Sequence, residues 1–213
     1  MEIRVIHLGL IKTNCFLLSG EKAAVVIDPG FKSELTADFL NQNSDKERLI
    51  LITHAHFDHI GGAEQLRRDT GVKIAVGEYD NPDLADPEIN LSNKFHAGVE
   101  PFGADILLKD GESLTVGDIT FKVILSPGHT KGEVCFLTGD CLFSGDTLFK
   151  GAIGRTDFPG GDLKTLKRSV KRLISLPYET KVYPGHGDFT TIAFEKENNM
   201  FVLSVQDEGM GIP

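Results

Sequence analysis

The sequence predicts an α+β protein in which two β-sheets pack face to face and helices cover their outer sides. Short runs rich in Val, Ile, Leu and Phe recur along the chain, each bounded by turn residues. Amphipathic helical periodicity appears in only a few stretches. With 213 residues, 40% of them hydrophobic, the chain is long enough for one domain, 1–213, with a substantial core. Many strands and few helices leave the helices to coat the outer faces.

Taken in order, residues 3–8, 15–18 and 23–28 are the first expected strands, and Asp28-Pro29-Gly30 supplies a turn after the third. Ser33 is placed to cap a helix carrying Leu35, Phe39 and Leu40 on one face. Residues 48–53 form an apolar strand. A second helix runs from about Gly62 to Thr70 and is stopped by Gly71. A strand at 73–76 follows. Residues 77–104 stand apart, with Asn81, Pro82, Asp83, Asp86, Pro87 and Pro101 and little periodicity. So long a stretch predicts a partly helical, lid-like insertion beside the site. Strands are expected again at 113–116, 119–125, 134–137 and 141–144, the last two joined by a turn at Thr138-Gly139-Asp140. Asp162 is an N-cap for a third helix whose stripe is Leu163, Leu166, Val170, Leu173 and Ile174, and Pro177 follows its end. The Lys and Arg residues from Lys164 to Arg172 read as its solvated face. A last strand covers 181–183.

Composition excludes several roles. A net charge of −9 argues against a nucleic-acid partner, which wants clustered Lys and Arg. No run reaches the roughly 18 apolar residues of a membrane helix, and Met1-Glu2-Ile3-Arg4-Val5 does not open like a signal peptide. Cys15, Cys135 and Cys141 each lie in an apolar stretch and are expected to be reduced, buried thiols in a cytoplasmic protein. The partner expected is a small-molecule substrate, and no feature speaks to oligomeric state.

The chemistry concentrates in Thr53-His54-Ala55-His56-Phe57-Asp58-His59. Imidazole nitrogen and carboxylate oxygen suit first-row divalent metals. On an extended loop His54 and His56 point the same way, while Asp58 and His59 turn toward a neighbouring position. Adjacent residues cannot complete two coordination shells, so ligands must come from elsewhere. His129, Asp146 and His186 each follow an apolar strand and a small residue or proline, in Ser126-Pro127-Gly128-His129, Ser144-Gly145-Asp146 and Pro184-Gly185-His186. Four strand ends thus present donors on one edge. Asp28 either orients a ligand histidine or simply forms its turn. His7, in a strand, and His96, in the 77–104 segment, are not expected to be ligands.

The run His-x-His-x-Asp-His, with the later His, Asp and His, resembles the metallo-β-lactamase superfamily over nearly the whole chain. The resemblance implies a four-layer αββα sandwich with two divalent metal ions, zinc first, with iron or manganese accepted by the same donors. It implies that His54, His56 and His129 hold one metal and Asp58, His59 and His186 the other, with Asp146 and a water or hydroxide bridging them. The commonest β-lactamases carry Cys at the position of Asp146, and flavodiiron oxygen reductases carry Glu at that of His56. Gly154-Arg155-Thr156-Asp157-Phe158-Pro159-Gly160-Gly161 and Pro184-Gly185-His186-Gly187-Asp188 look instead like small bacterial glyoxalase II-type hydrolases. Eukaryotic members carry an extra C-terminal helical region that helps bind glutathione, whereas this chain ends at Pro213.

By this resemblance the chain is expected to hydrolyse a small thioester of the hydroxyacylglutathione type through a metal-bridging hydroxide. A thiolate leaving group needs little acid assistance, and the sequence offers no obvious general acid. Asp58 would orient the hydroxide, and Arg155 would meet a substrate carboxylate with its fork of donors; pairing with Asp157 or Asp162 is the structural alternative for Arg155. Two other activities share the fold. Persulfide dioxygenases use one iron at positions matching His54, His129 and Asp146, and lactonases also share the sandwich.

Overall fold

The computed structural model describes residues 1–207; residues 208–213 of the expected 1–213 domain lie outside the described residues. The first sheet runs in sequence order: β1 (Glu2–Leu8), β2 (Thr13–Ser19), β3 (Ala23–Ile27), β4 (Glu47–Ile52), β5 (Ile74–Gly77) and β6 (Ile106–Leu108). β1 to β3 form an antiparallel meander, and β3 to β6 are parallel. Between the parallel strands lie α1 (Glu34–Gln42), α2 (Phe57–Ile60) and α3 (Ala63–Thr70).

The second sheet contains β7 (Ser113–Val116), β8 (Ile119–Leu125), β9 (Val134–Thr138), β10 (Cys141–Gly145), β13 (Lys181–Pro184) and β14 (Thr190–Thr191). Its order is β14-β13-β10-β9-β8-β7, with β10 and β13 parallel and the other neighbours antiparallel. A short ribbon, β11 (Leu148–Phe149) with β12 (Ala152–Ile153), leads to α4 (Leu163–Leu173). Helices α5 (Ile192–Asn198) and α6 (Met200–Asp207) follow β14. No helix among the described residues is long and apolar enough to cross a membrane.

The layers follow from side-chain alternation. Along a strand, successive side chains point to opposite faces. In β3 and β4, Val25, Ile27, Leu49 and Leu51 face the second sheet and meet Phe121, Val123, Phe136 and Phe143. Their neighbours Val26, Ile50 and Ile52 face outward under Leu40, Ile60 and Leu66 of the α1–α3 layer. On the far side Ile124, Cys135, Leu142 and Val182 pack under Leu166, Val170 and Leu173 of α4 and Val202 of α6. The result is the expected αββα sandwich. Cys15, Cys135 and Cys141 are all buried and free.

Several local expectations are corrected. Ser33 occupies the N-cap of α1, but its side chain makes no capping bond; Thr36 Oγ1 donates to the Ser33 carbonyl instead (2.8 Å). Leu35 is 50% exposed, because the buried stripe of this short helix runs through Thr36 and Leu40. Leu163 is likewise exposed in the first turn of α4, although Asp162 caps that helix by accepting from the Thr165 N–H (2.7 Å). The stretch 54–59 is not extended throughout: His56 is the N-cap of the single-turn helix α2, which holds Asp58 and His59. Segment 77–104 contains the 3-10 turn Asn81–Ala85. Unforeseen elements are β6, β11, β12, β14, α2, α5 and α6, most of them too short to show a period.

Candidate metal centre

Every predicted donor lies just past the C-terminal end of a strand. His54 and His56 follow β4, His129 follows β8, Asp146 follows β10 and His186 follows β13, while α2 adds Asp58 and His59. All are buried except His186, whose side chain keeps 27% of its exposure. Crowding demands glycine beside them. A Cβ on Gly185 would meet Asp146 Oδ1 and His59 Cε1, and one on Gly30 would overlap the carbonyl oxygen of Asp58. Asn14 of β2 ties down the His186 loop: its Nδ2 donates to the carbonyls of Pro184 (2.9 Å) and Gly187 (3.0 Å).

The imidazoles are aimed by a hydrogen-bond relay. Asp28 Oδ1 accepts from the Thr53 N–H (2.8 Å), and Oδ2 accepts from Thr53 Oγ1 (2.7 Å) and His59 Nδ1 (2.9 Å). With its own proton given to Asp28, Thr53 Oγ1 accepts from His54 Nδ1 (3.1 Å). His129 Nδ1 donates to the Arg155 carbonyl (2.8 Å). Protonation at Nδ1 makes Nε2 the lone-pair nitrogen of His54, His59 and His129, and the His129 lone pair faces His56 Nδ1. Asp28 thus serves as the orienting residue, and it also sits in the turn, at φ 52°.

Three overlapping donor groups result, each with its atoms mutually within 4.8 Å: His54, His56 and His129; His54, His59 and Asp146; and Asp58, His59 and His186. His56 Nδ1 lies 2.9 Å from His129 Nε2. Asp146 reaches across both sides, with Oδ1 3.5 Å from His59 Nε2 and Oδ2 3.5 Å from His129 Nε2. Asp58 Oδ2 lies 3.0 Å from His186 Nε2 and accepts from Thr13 Oγ1 (3.1 Å). His54 Nε2, His59 Nε2 and Asp146 Oδ1 are buried without a hydrogen-bond partner. Facing lone pairs left bare in a dry interior are costly, and a shared cation relieves that cost. The donor set therefore fits divalent metal.

The electrostatics agree. Burial, then the neighbouring His59, His129 and His56, holds His54 well below the usual imidazole range; burial and His129 do the same to His56. Both are neutral, the form that coordinates. Burial opposes charge on His59, but Asp58, Asp146 and Asp28 outweigh it and raise its pKa well above normal, so that these carboxylates favour a cation at its Nε2, whether a proton or a metal ion in its place. Asp58 is held low by His59 and His186 against its own desolvation.

Two buried carboxylates escaped the sequence reading. Asp80 Oδ2 accepts from the Ala55 N–H (3.0 Å) and Thr130 Oγ1 (2.8 Å), joining the two loops that carry His54, His56 and His129. Glu133 Oε1 accepts from the Asp146 N–H (2.5 Å) and lies 3.7 Å from His54 Nδ1. Asp80 sits in the aperiodic 77–104 segment. Glu133 precedes an apolar strand, where a charged residue reads as a turn. Their only signal is acidity in an otherwise apolar or glycine-rich context.

A cavity of about 350 Å³ opens on His56, His129, Asp146 and His186, with Phe57, Phe95 and Phe158 in its wall. Arg155 lies at this cavity, but its Nε and one terminal NH2 group both donate to Asp157 (2.6 Å each), and its guanidinium lies 3.8 Å over the Phe158 ring. A larger open hollow of about 540 Å³ lies beside Met1, Gly139 and Lys181, at the opposite strand ends and away from the donors. His7 is in β1, and His96 is exposed in the 77–104 segment; neither belongs to a donor group.

The sequence profile of the Metallo-beta-lactamase superfamily matches residues 8–186. The chain is 34% identical to hydroxyacylglutathione hydrolase GloC of Haemophilus influenzae, covering 96% of this chain and 99% of that protein. Among solved structures it is similar to the BLEG-1 B3 metallo-beta-lactamase (TM-score 0.87, 38% identity, 94% and 99% covered). It is also similar to TTHA1623 in a di-iron-bound form (TM-score 0.83, 35% identity, 93% and 99% covered).

Proposed function

Since the chain belongs to the metallo-β-lactamase superfamily, we propose that it is a binuclear metallohydrolase that cleaves a small thioester of the hydroxyacylglutathione type. The observation that supports this best is the overlap of the three donor groups: the group His54, His59 and Asp146 shares His54 with one neighbour and His59 with the other. One closed tetrahedral site would use four of these donors and strand the rest; overlapping groups suit two adjacent ions. On this reading His54, His56 and His129 hold one ion, Asp58, His59 and His186 the other, and Asp146 reaches both. Divalent ions, zinc first among them, supply Lewis acidity, lowering the pKa of water to about 7 and polarising a carbonyl.

The chain's own groups do the rest. The relay through Asp28 and Thr53 keeps the His54 and His59 lone pairs facing inward. Asp58, fixed by Thr13, offers a carboxylate oxygen that orients the attacking water. Arg155, at the cavity, is the candidate to meet a substrate carboxylate, exchanging it for Asp157. A thiolate leaves without a proton from the protein, so the absence of a dedicated general acid from the donor set is no obstacle to thioesters. The likeness to GloC supports this substrate class.

Metal analysis of the purified chain together with a panel of thioester, lactone and persulfide substrates tests the reading. Two metal equivalents and thioester turnover are expected, with His56→Ala or Asp58→Ala abolishing it. Wild-type turnover in either variant would refute a two-metal mechanism. A single iron with oxygen uptake on glutathione persulfide would favour the dioxygenase, whose two-His-one-carboxylate site would fall to His54, His129 and Asp146.

A further inference from the structure

Ile11, Phe57, Leu91, Phe95 and Phe158 wall the cavity in front of the donors. Resting on the hydrolase reading above, we infer that the cleaved thioester carries a bulky apolar substituent, aryl or branched alkyl, which this wall receives.

The aromatic surface is continuous from the donors to the rim. Phe158 meets His56 edge-on, with centroids 5.9 Å apart, and Phe95 meets Phe158 edge-on at 6.2 Å. Phe95 stacks on Phe57 at 5.0 Å with an interplanar angle of 25°. Phe95 and Ile11 keep 48% and 51% of their exposure, although each lines the cavity. Apolar surface left wet in this way contributes nothing to the fold and is stabilised only when a ligand covers it.

The wall is also braced. Leu91 has φ 68°, a left-handed conformation uncommon for a bulky side chain and met where surrounding structure enforces it. The adjacent Asn90 enforces it here. Its carbonyl accepts from the Phe57 N–H at the start of α2 (2.8 Å), its Nδ2 donates to the Asp83 carbonyl (3.2 Å), and its Oδ1 accepts from the Ser92 N–H (3.0 Å). The segment carrying Leu91 is therefore fixed to the same helical turn that carries Asp58 and His59.

Little in this wall answers a polar group. Apart from the donors, the polar side chain lining the cavity is Arg155, engaged with Asp157 along one edge of its fork, and Lys94 Nζ lies 4.5 Å over the Phe158 ring. Amides placed against Phe57, Phe95 and Leu91 would lose water and gain no partner. An aryl group would instead stack on or meet the edges of the phenylalanines. A volume of about 350 Å³ sits at the lower end for small-ligand sites and suits one ring beside a thioester.

The experiment uses the metal-loaded full chain. One series holds a small thiol constant and varies the acyl group from acetyl and lactoyl to isovaleryl and phenylacetyl. A second holds acetyl constant and varies the thiol from methyl to benzyl. We expect kcat/KM to rise about tenfold or more along at least one series, the responding series naming the side of the bond that enters the wall. Phe95→Ala should erase most of that rise. Flat or falling values along both series overturn the inference while leaving the hydrolase reading in place. Calorimetry with uncleavable thioethers, the benzyl group placed on the acyl side in one and on the thiol side in the other, reads the wall without turnover: at least one should bind about tenfold or more tighter than its methyl counterpart, and methyl-like binding of both overturns the inference. Tight benzyl binding with no thioester cleaved would sink the hydrolase reading alone.

Discussion

Asp28 Oδ2 and His59 Nδ1 are joined at 2.9 Å, both side chains buried, and the same carboxylate fixes His54 through Thr53. One acid therefore sets the tautomer of two imidazoles that approach the centre from different elements. Asparagine keeps the oxygen that accepts from the Thr53 N–H and tolerates φ 52°. It puts an amide donor where His59 needs an acceptor. We predict that Asp28→Asn folds normally but binds metal about 10–100-fold more weakly. Competition with a chromogenic chelator reads this, and wild-type affinity would show that the relay is not needed to aim His59.

Asp80 gives a pH signature. Burial pushes its pKa up to about 6, against the hydrogen bonds from Thr130 and Ala55 that pull it down. The folded value thus lies above the unfolded one of 3.8. A raised folded pKa means that the folded state holds the proton more tightly. The stabilisation is complete below about pH 4 and is lost as pH rises through about 6. A gap of roughly two units corresponds to about 3 kcal/mol. Relative to Asp80→Asn, which does not titrate, the wild type should lose up to that much unfolding free energy between about pH 4 and pH 7. Denaturant melts across this range check it; parallel pH profiles for the two proteins would contradict the assignment.

The sandwich was legible because its middle strands are unambiguous. Leu49-Ile50-Leu51-Ile52 is apolar on both faces, and both faces are covered. The donors were legible because ligation needs particular residue types just past strand ends. Their aiming was not. Asp28 could be read either as orienting a ligand histidine or as a plain turn, Thr53 looks like a strand end, and only three dimensions place them against His59 and His54. Glu133 and Asp80 were invisible because a buried acid differs from a surface acid only in what packs around it. The helical turn at 57–60 was missed because a single turn carries too few residues to show a 3.6-residue period.

Gly30 makes a stability prediction with a built-in control. A Cβ there would overlap the Asp58 carbonyl, backbone against backbone, with no flexible side chain to give way. Gly111 has φ 77° but open space around it, so alanine there meets only conformational strain. Gly111→Ala should cost about 1–2 kcal/mol. Gly30→Ala should cost about 3 kcal/mol or more, since α2 must move. Thermal melts of the two variants separate the effects, and similar losses would mean that α2 yields easily.

Arg155 acts through two different groups, and they can be separated. Its main-chain carbonyl accepts from His129 Nδ1, while its guanidinium is engaged with Asp157 and the Phe158 ring. Arg155→Ala keeps the carbonyl, so the aim of His129 survives and only the cation is lost. Arg155 holds the Asp157 carboxyl down at about 2, so the pair is ionised throughout the working range and pH cannot release the guanidinium. Substitution can. Asp157→Asn keeps the shape of the loop and discharges the competitor for the fork. If a substrate carboxylate takes the place of Asp157, Arg155→Ala raises KM for carboxylate-bearing thioesters about tenfold at unchanged kcat, and Asp157→Asn lowers it severalfold. Opposite movements of KM in the two variants are what we predict; identical losses of kcat in both would assign the pair to holding the 154–161 loop in place behind His129.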